Sequence, residues 1–137
     1  METSTAKTIA LDPKDRLAVA LDFPDARQAL DLVDTLGDTC QWFKVGMELY
    51  YAAGNALIAD LRNRGFDVFL DLKLHDIPNT VARAVESAAK LPIKMLTLHT
   101  GGGREMMQWA AKAQREHAPQ LLLLGVTVLT SMSAAGL

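Results

Sequence analysis

Short apolar runs recur along the chain and alternate with longer segments of helical spacing. Each run is strand-like in length and is bounded by polar or turn residues. The runs are LAVAL at 17–21, QWFKV at 41–45, DVFLD at 67–71, KMLTLH at 94–99 and LLLLGVTVL at 121–129. The helical segments are 25–36, 46–64, 79–89 and 104–117, with Pro24 and Pro78 near helix starts and Gly37 and Gly65 near helix ends. The pattern predicts a β-α unit repeated four times and then a fifth strand.

This alternation predicts a parallel sheet with right-handed crossovers. Two α/β architectures fit it: an open doubly wound sheet and a (β/α)8 TIM barrel. The turn after the first strand reads LDFPDARQ, so the GxGxxG or Walker pattern that would support a doubly wound nucleotide-binding sheet is missing there. A complete barrel takes about 250 residues, whereas this chain has 137, so length alone favours the open sheet.

Charges at the strand ends favour a partial barrel instead. Asp22, Lys44, Lys73 and His99 each stand at the carboxyl end of a different predicted strand, and Asp71 precedes Lys73 by two residues. Alternation along a strand places Asp71 and Lys73 on one face. Parallel α/β folds bind ligands at this edge of the sheet, and charges persist there only when they are paired. We expect an alternating acid-base network of Asp22, Lys44, Asp71, Lys73 and Asp76, with a purely structural ion-pair cluster as the alternative.

Composition narrows the class of protein. The net charge is −2 with both signs interspersed, which gives no electrostatic footprint for nucleic acid or an anionic membrane. Cys40 is the single cysteine, so neither an intrachain disulfide nor a zinc pattern is expected. The beginning of the chain lacks the apolar core of a signal peptide, and the longest apolar run is about half of a bilayer span. We therefore expect a cytoplasmic protein.

Other features have simpler explanations. His75 and His99 lack metal-ligand spacing, and we interpret them as hydrogen-bonded structural residues. The three glycines at 101–103 precede a helix and predict a tight turn, with a phosphate cradle as the alternative. Met106, Met107 and Trp109 are most simply packing residues of the last predicted helix. None of these features changes the interpretation of the strand ends.

The motif DLKLHDIPNT at 71–80, together with LAVALD, FKVGMEL and VTVLTSM, resembles the orotidine 5′-phosphate decarboxylase family. The resemblance extends from about Leu17 to Met132, and its centre is D-x-K-x-x-D followed by I-P-N-T. It implies a (β/α)8 barrel, usually dimeric, that converts orotidine 5′-phosphate to UMP and CO₂ in pyrimidine biosynthesis without a metal or organic cofactor. About four and a half βα units of such a barrel are present.

The resemblance also implies roles for the charges in one subunit. Lys73 matches the family's proton donor, and Asp71 matches the carboxylate beside the scissile group. Lys44 matches the lysine that joins their network and reaches the ribose. Asp22 matches the aspartate of the first strand that binds a ribose hydroxyl.

Other matched positions lie outside that group. Asp76, Ile77 and Thr80 resemble residues that each subunit contributes to its partner's site. The resemblance implies that Asp76 is also a catalytic residue. Thr130 matches a position that contacts substrate near the base. The family's phosphate site, including an arginine, has no counterpart in this sequence. We therefore expect one incomplete domain over 1–137, lacking the C-terminal half of the barrel, with little decarboxylase activity alone.

Three alternatives remain. A Mg²⁺-dependent sugar-phosphate decarboxylase or hexulose-phosphate synthase shares D-x-K-x-x-D, although the HDIPNT continuation argues against it. A Schiff-base aldolase using Lys73 is disfavoured because two carboxylates flank that lysine. The third alternative is an inactive half barrel that serves as a binding module.

Overall fold

The computed structural model describes residues 12–136 of the chain, and strands and helices alternate along it. The strands are β1 (Ala18–Ala20), β2 (Trp42–Gly46), β3 (Asp67–Leu74), β4 (Met95–His99) and β5 (Leu122–Val126). The α-helices are α1 (Ala26–Leu36), α2 (Met47–Asn63), α3 (Pro78–Ala88) and α4 (Arg104–His117). Short 3-10 helices occupy Pro13–Arg16, Thr100–Gly102 and Ala134–Gly136. Within the described range, no helix has the length and apolarity needed to cross a membrane.

The five strands form one parallel sheet in the order β1-β2-β3-β4-β5. Each new strand is therefore added beside the previous one, always at the same edge. A doubly wound sheet reverses direction at a switch point between strands, whereas the wall of a (β/α)8 barrel keeps a single direction. The strand order confirms the predicted parallel α/β class and has the form of part of a barrel wall.

The hydrophobic core lies between one face of the sheet and the helices. On β2, β3 and β4 the residues that point to the helices, such as Phe43, Leu70 and Leu96, are fully buried. They belong to one cluster with helix residues that include Val33, Ile58, Val85 and Ala110. The period of two along the strands and of 3.6 along the helices places these apolar side chains in the same layer.

Local signals fix where the helices begin and end. The Asp25 carboxylate accepts a hydrogen bond from the Gln28 N–H at 2.9 Å and so caps α1. Helix α3 begins at Pro78, where a missing N–H costs no intrahelical bond. Gly103, with φ of 92°, directly precedes α4. The glycines at 101–103 form the predicted turn before this helix. Gly103 adopts its left-handed φ without strain because it has no side chain.

The ends of two strands differ from the predictions by more than one residue, and one helix is kinked. Strand β3 continues past 71 to Leu74, because it pairs with β4 again after an irregularity between Leu70 and Leu74. Strand β5 ends at Val126 rather than at 129, because the last residue of β4, His99, pairs with Val126 and offers no further partner. Helix α2 is kinked at Gly54, which has φ of 61°.

Candidate active site

Four charged side chains form a continuous chain of ion pairs at the carboxyl ends of β1, β2 and β3. Lys44 Nζ lies 3.5 Å from Asp22 Oδ1 and 3.5 Å from Asp71 Oδ2. Lys73 Nζ lies 2.8 Å from the same Asp71 oxygen. Acid and base alternate along this chain, so every charge has an opposite charge as its neighbour. We call Asp22, Lys44, Asp71 and Lys73 the charged chain.

Asp71 is the central and most buried member, with 8% of the residue exposed. Burial alone raises the pKa of its carboxyl. Hydrogen bonds from Lys73 and from Thr97, together with the positive charges of Lys73 and Lys44, more than offset that effect and place the pKa of Asp71 below its ordinary value. Asp71 is therefore a carboxylate held ionised between two ammonium groups.

The backbone of β3 departs from regular pairing where it carries these side chains. Leu70 pairs with Leu96 and Leu74 pairs with Leu98, so β3 advances four residues while β4 advances two. Within this stretch Lys73 has φ of 49°, the one positive φ at a non-glycine residue in the described part of the chain. Asp71 and Lys73 do meet, as the alternation predicted, but across an irregular backbone rather than a regular strand.

Thr97 on β4 contacts both residues, and our sequence analysis missed it. Its Oγ1 accepts a hydrogen bond from the Lys73 backbone N–H at 2.8 Å and donates one to Asp71 Oδ1 at 2.8 Å. A signal was present in the sequence: Thr97 is a polar residue in the apolar run KMLTLH, two positions before His99 and thus on its face.

The loop after β3 carries Asp76 away from the charged chain. The Asp76 carboxylate accepts a hydrogen bond from the Ile77 N–H at 2.7 Å. Both residues are exposed, and no salt bridge within residues 12–136 involves Asp76. The expectation that Asp76 joins the network inside one copy of the chain is therefore wrong, because the chain has already left the sheet edge at Leu74.

The remaining predicted positions lie near the same end of the sheet. Ile77 is 66% exposed, and Thr80 is exposed in the first turn of α3. Thr130 is exposed in the turn after β5. The His75 and His99 rings lie 5.3 Å apart, centroid to centroid. Among residues 12–136, no group of three His, Cys, Asp or Glu side chains is arranged to hold a metal ion.

The face of the sheet opposite the helices, which we call the inner face, carries the charged chain at its carboxyl end. Further from that end it is an apolar surface. Met95 on β4 pairs with Leu122 on β5, and Thr97 pairs with Leu124. Leu122 is 53% exposed and Leu124 is 38% exposed. The inner face of this part of the wall is thus polar at its carboxyl end and open and apolar further down.

The chain is similar to one family of known proteins over most of its length. A family model described as "Orotidine 5′-phosphate decarboxylase / HUMPS family" matches residues 15–137. The orotidine 5′-phosphate decarboxylase of Opitutus terrae is 63% identical over 121 residues, which are 88% of this chain and 53% of that protein. That of Carboxydothermus hydrogenoformans is 50% identical over 129 residues, 90% of this chain and 53% of that protein.

Solved structures give the same result for the fold. The orotidine 5′-phosphate decarboxylase from Lactobacillus acidophilus matches with a TM-score of 0.78 and 41% identity over 85% of this chain and 55% of its own. The enzyme of that name from Thermotoga maritima matches with a TM-score of 0.71 and 30% identity over 85% of this chain and 56% of its own. The chain spans about half the length of the curated relatives it matches.

Proposed function

The chain belongs to the orotidine 5′-phosphate decarboxylase / HUMPS family, and we propose that it supplies the catalytic charges of an enzyme that converts orotidine 5′-phosphate to UMP and CO₂. The observation that carries the proposal is the charged chain at the carboxyl edge of a parallel sheet. The curated relatives are named as this decarboxylase, which does not favour the Mg²⁺-dependent alternative. A cytoplasmic location stays a prediction.

The chemistry requires stabilisation of negative charge followed by protonation. When the bond between C6 of the pyrimidine and the carboxylate breaks, CO₂ leaves and the electron pair stays on C6, with little resonance to spread it. Lys73 is a fixed ammonium that stabilises this charge and then transfers a proton from Nζ to C6. At about 4 Å and an effective dielectric near 20, one such pairing contributes roughly 4 kcal/mol, so other residues must contribute as well.

Asp71 acts on the bound substrate and on Lys73. Its carboxylate lies against the substrate carboxylate in this proposal, so repulsion between the two is relieved as CO₂ departs. Its 2.8 Å contact with Lys73 holds the ammonium in place. Lys44 continues the charged chain to Asp22, and these two residues bind the ribose hydroxyls. The exposed Asp22 side chain leaves its carboxylate accessible to a ligand.

We place the remaining residues around the substrate of a homodimer. The exposure of Asp76, Ile77 and Thr80 supports their reaching into the site of a partner subunit. Asp76 then completes the partner's network from outside, which is consistent with its making no ion pair with another residue of 12–136 in its own copy. Thr130, exposed after β5, is placed near the base of the substrate.

A hybrid enzyme tests the proposal without depending on the activity of this chain alone. The chain replaces the matched 53% of the Opitutus terrae decarboxylase, to which it is 63% identical. We expect the hybrid to consume orotidine 5′-phosphate, followed by ultraviolet absorbance, and to keep its rate in EDTA. Lys73→Ala should lower kcat by at least about 1,000-fold, because it removes both the counter-charge and the acid. The chain alone should show little activity.

A matched control separates the role of Lys73 from a general loss of positive charge. Lys112 is an exposed lysine of α4 whose contact with Glu116 is 3.9 Å long, so Lys112→Ala should leave the rate unchanged. If the hybrid folds and shows no decarboxylation, the proposed function is wrong. Turnover of a sugar phosphate by the hybrid that disappears in EDTA and returns with Mg²⁺ would instead support the Mg²⁺-dependent alternative.

Mixed dimers of the hybrid test the placement of Asp76. A Lys73→Ala subunit and an Asp76→Asn subunit are each expected to be inactive as pure dimers. Refolded together, they should recover about one quarter of the wild-type rate, because half of the dimers are mixed and each of these contains one intact site. If the mixture stays inactive, Asp76 does not act across the interface.

A further inference from the structure

We propose that Thr97 is a positioning residue of this active site: its single hydroxyl holds the Lys73 backbone and the Asp71 carboxylate in their working geometry. The inference rests on the proposed function only for its consequence on catalysis. The geometric part concerns this chain alone. Thr97 itself is 3% exposed, so it acts through its neighbours rather than by touching the substrate.

The need for such a residue follows from the irregular pairing of β3 with β4. Between Leu70 and Leu74 the regular ladder is interrupted, and the backbone groups there lose their usual partners on the neighbouring strand. The Lys73 N–H instead donates to Thr97 Oγ1 at 2.8 Å. A side-chain oxygen thereby replaces a backbone carbonyl at the point where the strand must turn its catalytic lysine toward the site.

The same hydroxyl also orients Asp71. Thr97 donates its proton to Asp71 Oδ1 at 2.8 Å, while the other oxygen, Oδ2, faces Lys73 and Lys44. The two carboxylate oxygens therefore have different partners. Rotation of the carboxylate would break the hydrogen bond to Thr97 or the contacts with the two lysines. A hydroxyl suits this position because it accepts one hydrogen bond and donates another at once.

Removal of the hydroxyl would loosen both residues. The Lys73 N–H would lose its acceptor, and Asp71 would lose a donor that favours its ionised form. Lys73 has a left-handed φ, which is costly for a residue with a side chain and persists only where the surroundings hold it. Thr97 is one of the groups that hold it.

Two substitutions separate the hydroxyl from the volume of the side chain. Thr97→Val keeps the branched shape and lacks the hydroxyl, whereas Thr97→Ser keeps the hydroxyl and loses a methyl group. Thr35→Val is the control, since Thr35 is an exposed residue of α1 whose hydroxyl donates to Asp31 O. Carbon-13 NMR of the 137-residue chain follows the titration of the Asp71 carboxyl in each protein. Circular dichroism confirms that each variant is folded.

We expect the pKa of Asp71 to rise in Thr97→Val and to remain near the wild-type value in Thr97→Ser and in Thr35→Val. The Lys73 amide proton should also exchange faster with solvent in Thr97→Val than in the serine variant. An unchanged Asp71 titration in a folded Thr97→Val protein would overturn the geometric part of the proposal.

Kinetics of the hybrid enzyme test the catalytic part. Thr97→Val should lower kcat by about 10- to 100-fold with KM changed much less, because misplaced catalytic groups affect the transition state more than binding. Thr97→Ser should recover most of the rate. If the hybrid decarboxylates and Thr97→Val is fully active, the positioning role is wrong while the proposed function stands. If the Asp71 titration shifts and no hybrid decarboxylates, the positioning stands and the proposed function is wrong.

Discussion

The two faces of strand β3 differ in what they contribute to the protein. Val68 and Leu70 point to the helices and are fully buried among apolar side chains. Asp71 and Lys73 point to the other side and contact charged or polar groups. Leu70 and Asp71 are adjacent in sequence, yet one belongs to the core and the other to the site. A strand of this kind separates stability from chemistry because successive side chains leave opposite faces.

The charges are tolerated on the inner face because of how they are arranged. Each member of the charged chain has an opposite charge within 3.5 Å, and Thr97 supplies a hydrogen bond from the neighbouring strand. Among the described residues, no buried side-chain nitrogen or oxygen lacks a hydrogen-bond partner. The charged side chains therefore lie on the inner face without leaving buried polar groups unsatisfied.

The largest effect on stability should come from the helix-facing side. Leu70→Ala removes a fully buried side chain and leaves a cavity, so we expect the free energy of unfolding to fall by about 2–5 kcal/mol. Urea titration followed by circular dichroism measures this. A loss below about 1 kcal/mol would mean that the core side of β3 is less tightly packed than the structure indicates.

Asp71→Asn should lower the rate of catalysis much more than it lowers stability. It keeps the size of the side chain and leaves Lys44 and Lys73 without their shared carboxylate, so we expect a loss of about 1–2 kcal/mol in unfolding free energy. In the hybrid enzyme the same substitution should lower kcat by at least about 100-fold. If the hybrid that carries Asp71→Asn keeps the wild-type turnover, Asp71 is not required for catalysis.

Acid should reduce the stability difference between wild type and Asp71→Asn. Because the pKa of Asp71 is lower in the folded state than its ordinary value of 3.8, its contribution is present above that value and is lost as pH falls through the folded-state value. Urea titrations at pH 7, 5 and 3 should show the two proteins converging at the lowest pH. Other groups, such as Asp25 with its pKa lowered by the Gln28 N–H, are present in both proteins and cancel. A constant difference across this range would contradict the assignment.

The smallest effect concerns the backbone at Lys73. Lys73→Ala and Lys73→Gly both remove the ammonium group, and they differ in how well they accept a φ of 49°. We expect the glycine variant to be more stable than the alanine variant by about 1 kcal/mol, since glycine adopts this conformation without steric strain. Thermal unfolding of the two variants, side by side, measures the difference. An alanine variant more stable than the glycine variant by about 0.5–1 kcal/mol, the ordinary entropic cost of glycine, would show that the left-handed conformation stores no strain.

Much of the fold was predictable because its signals are local. The apolar period along each segment and the punctuation by Pro and Gly located every strand and α-helix of the described chain to within a few residues. The observed α4, Arg104–His117, has the predicted bounds. The errors occur where a neighbouring strand decides the outcome: β3 is longer because it pairs again after its irregularity, and β5 is shorter because β4 ends.

The candidate site was predictable only in part. Charges at strand ends identified Asp22, Lys44, Asp71 and Lys73, since the carboxyl ends of parallel strands share one edge. Thr97 stood out as a polar residue in an apolar run but was missed, because its partners depend on the register between β3 and β4. Asp76 does not join the charged chain of its own copy, because spacing along the chain does not show where a loop turns away from a sheet.

The order of apolar and charged residues was sufficient to establish a parallel α/β chain with its ionisable groups at one edge of the sheet, because side-chain alternation and helical period are properties of the local backbone. The distances between those groups depended on folding. The 2.8 Å contacts of Asp71 with Lys73 and Thr97 join residues of two strands whose register is set by long-range pairing. Strand register is a cooperative property of the whole sheet. It brings the charged residues of neighbouring strands close enough to form a candidate active site.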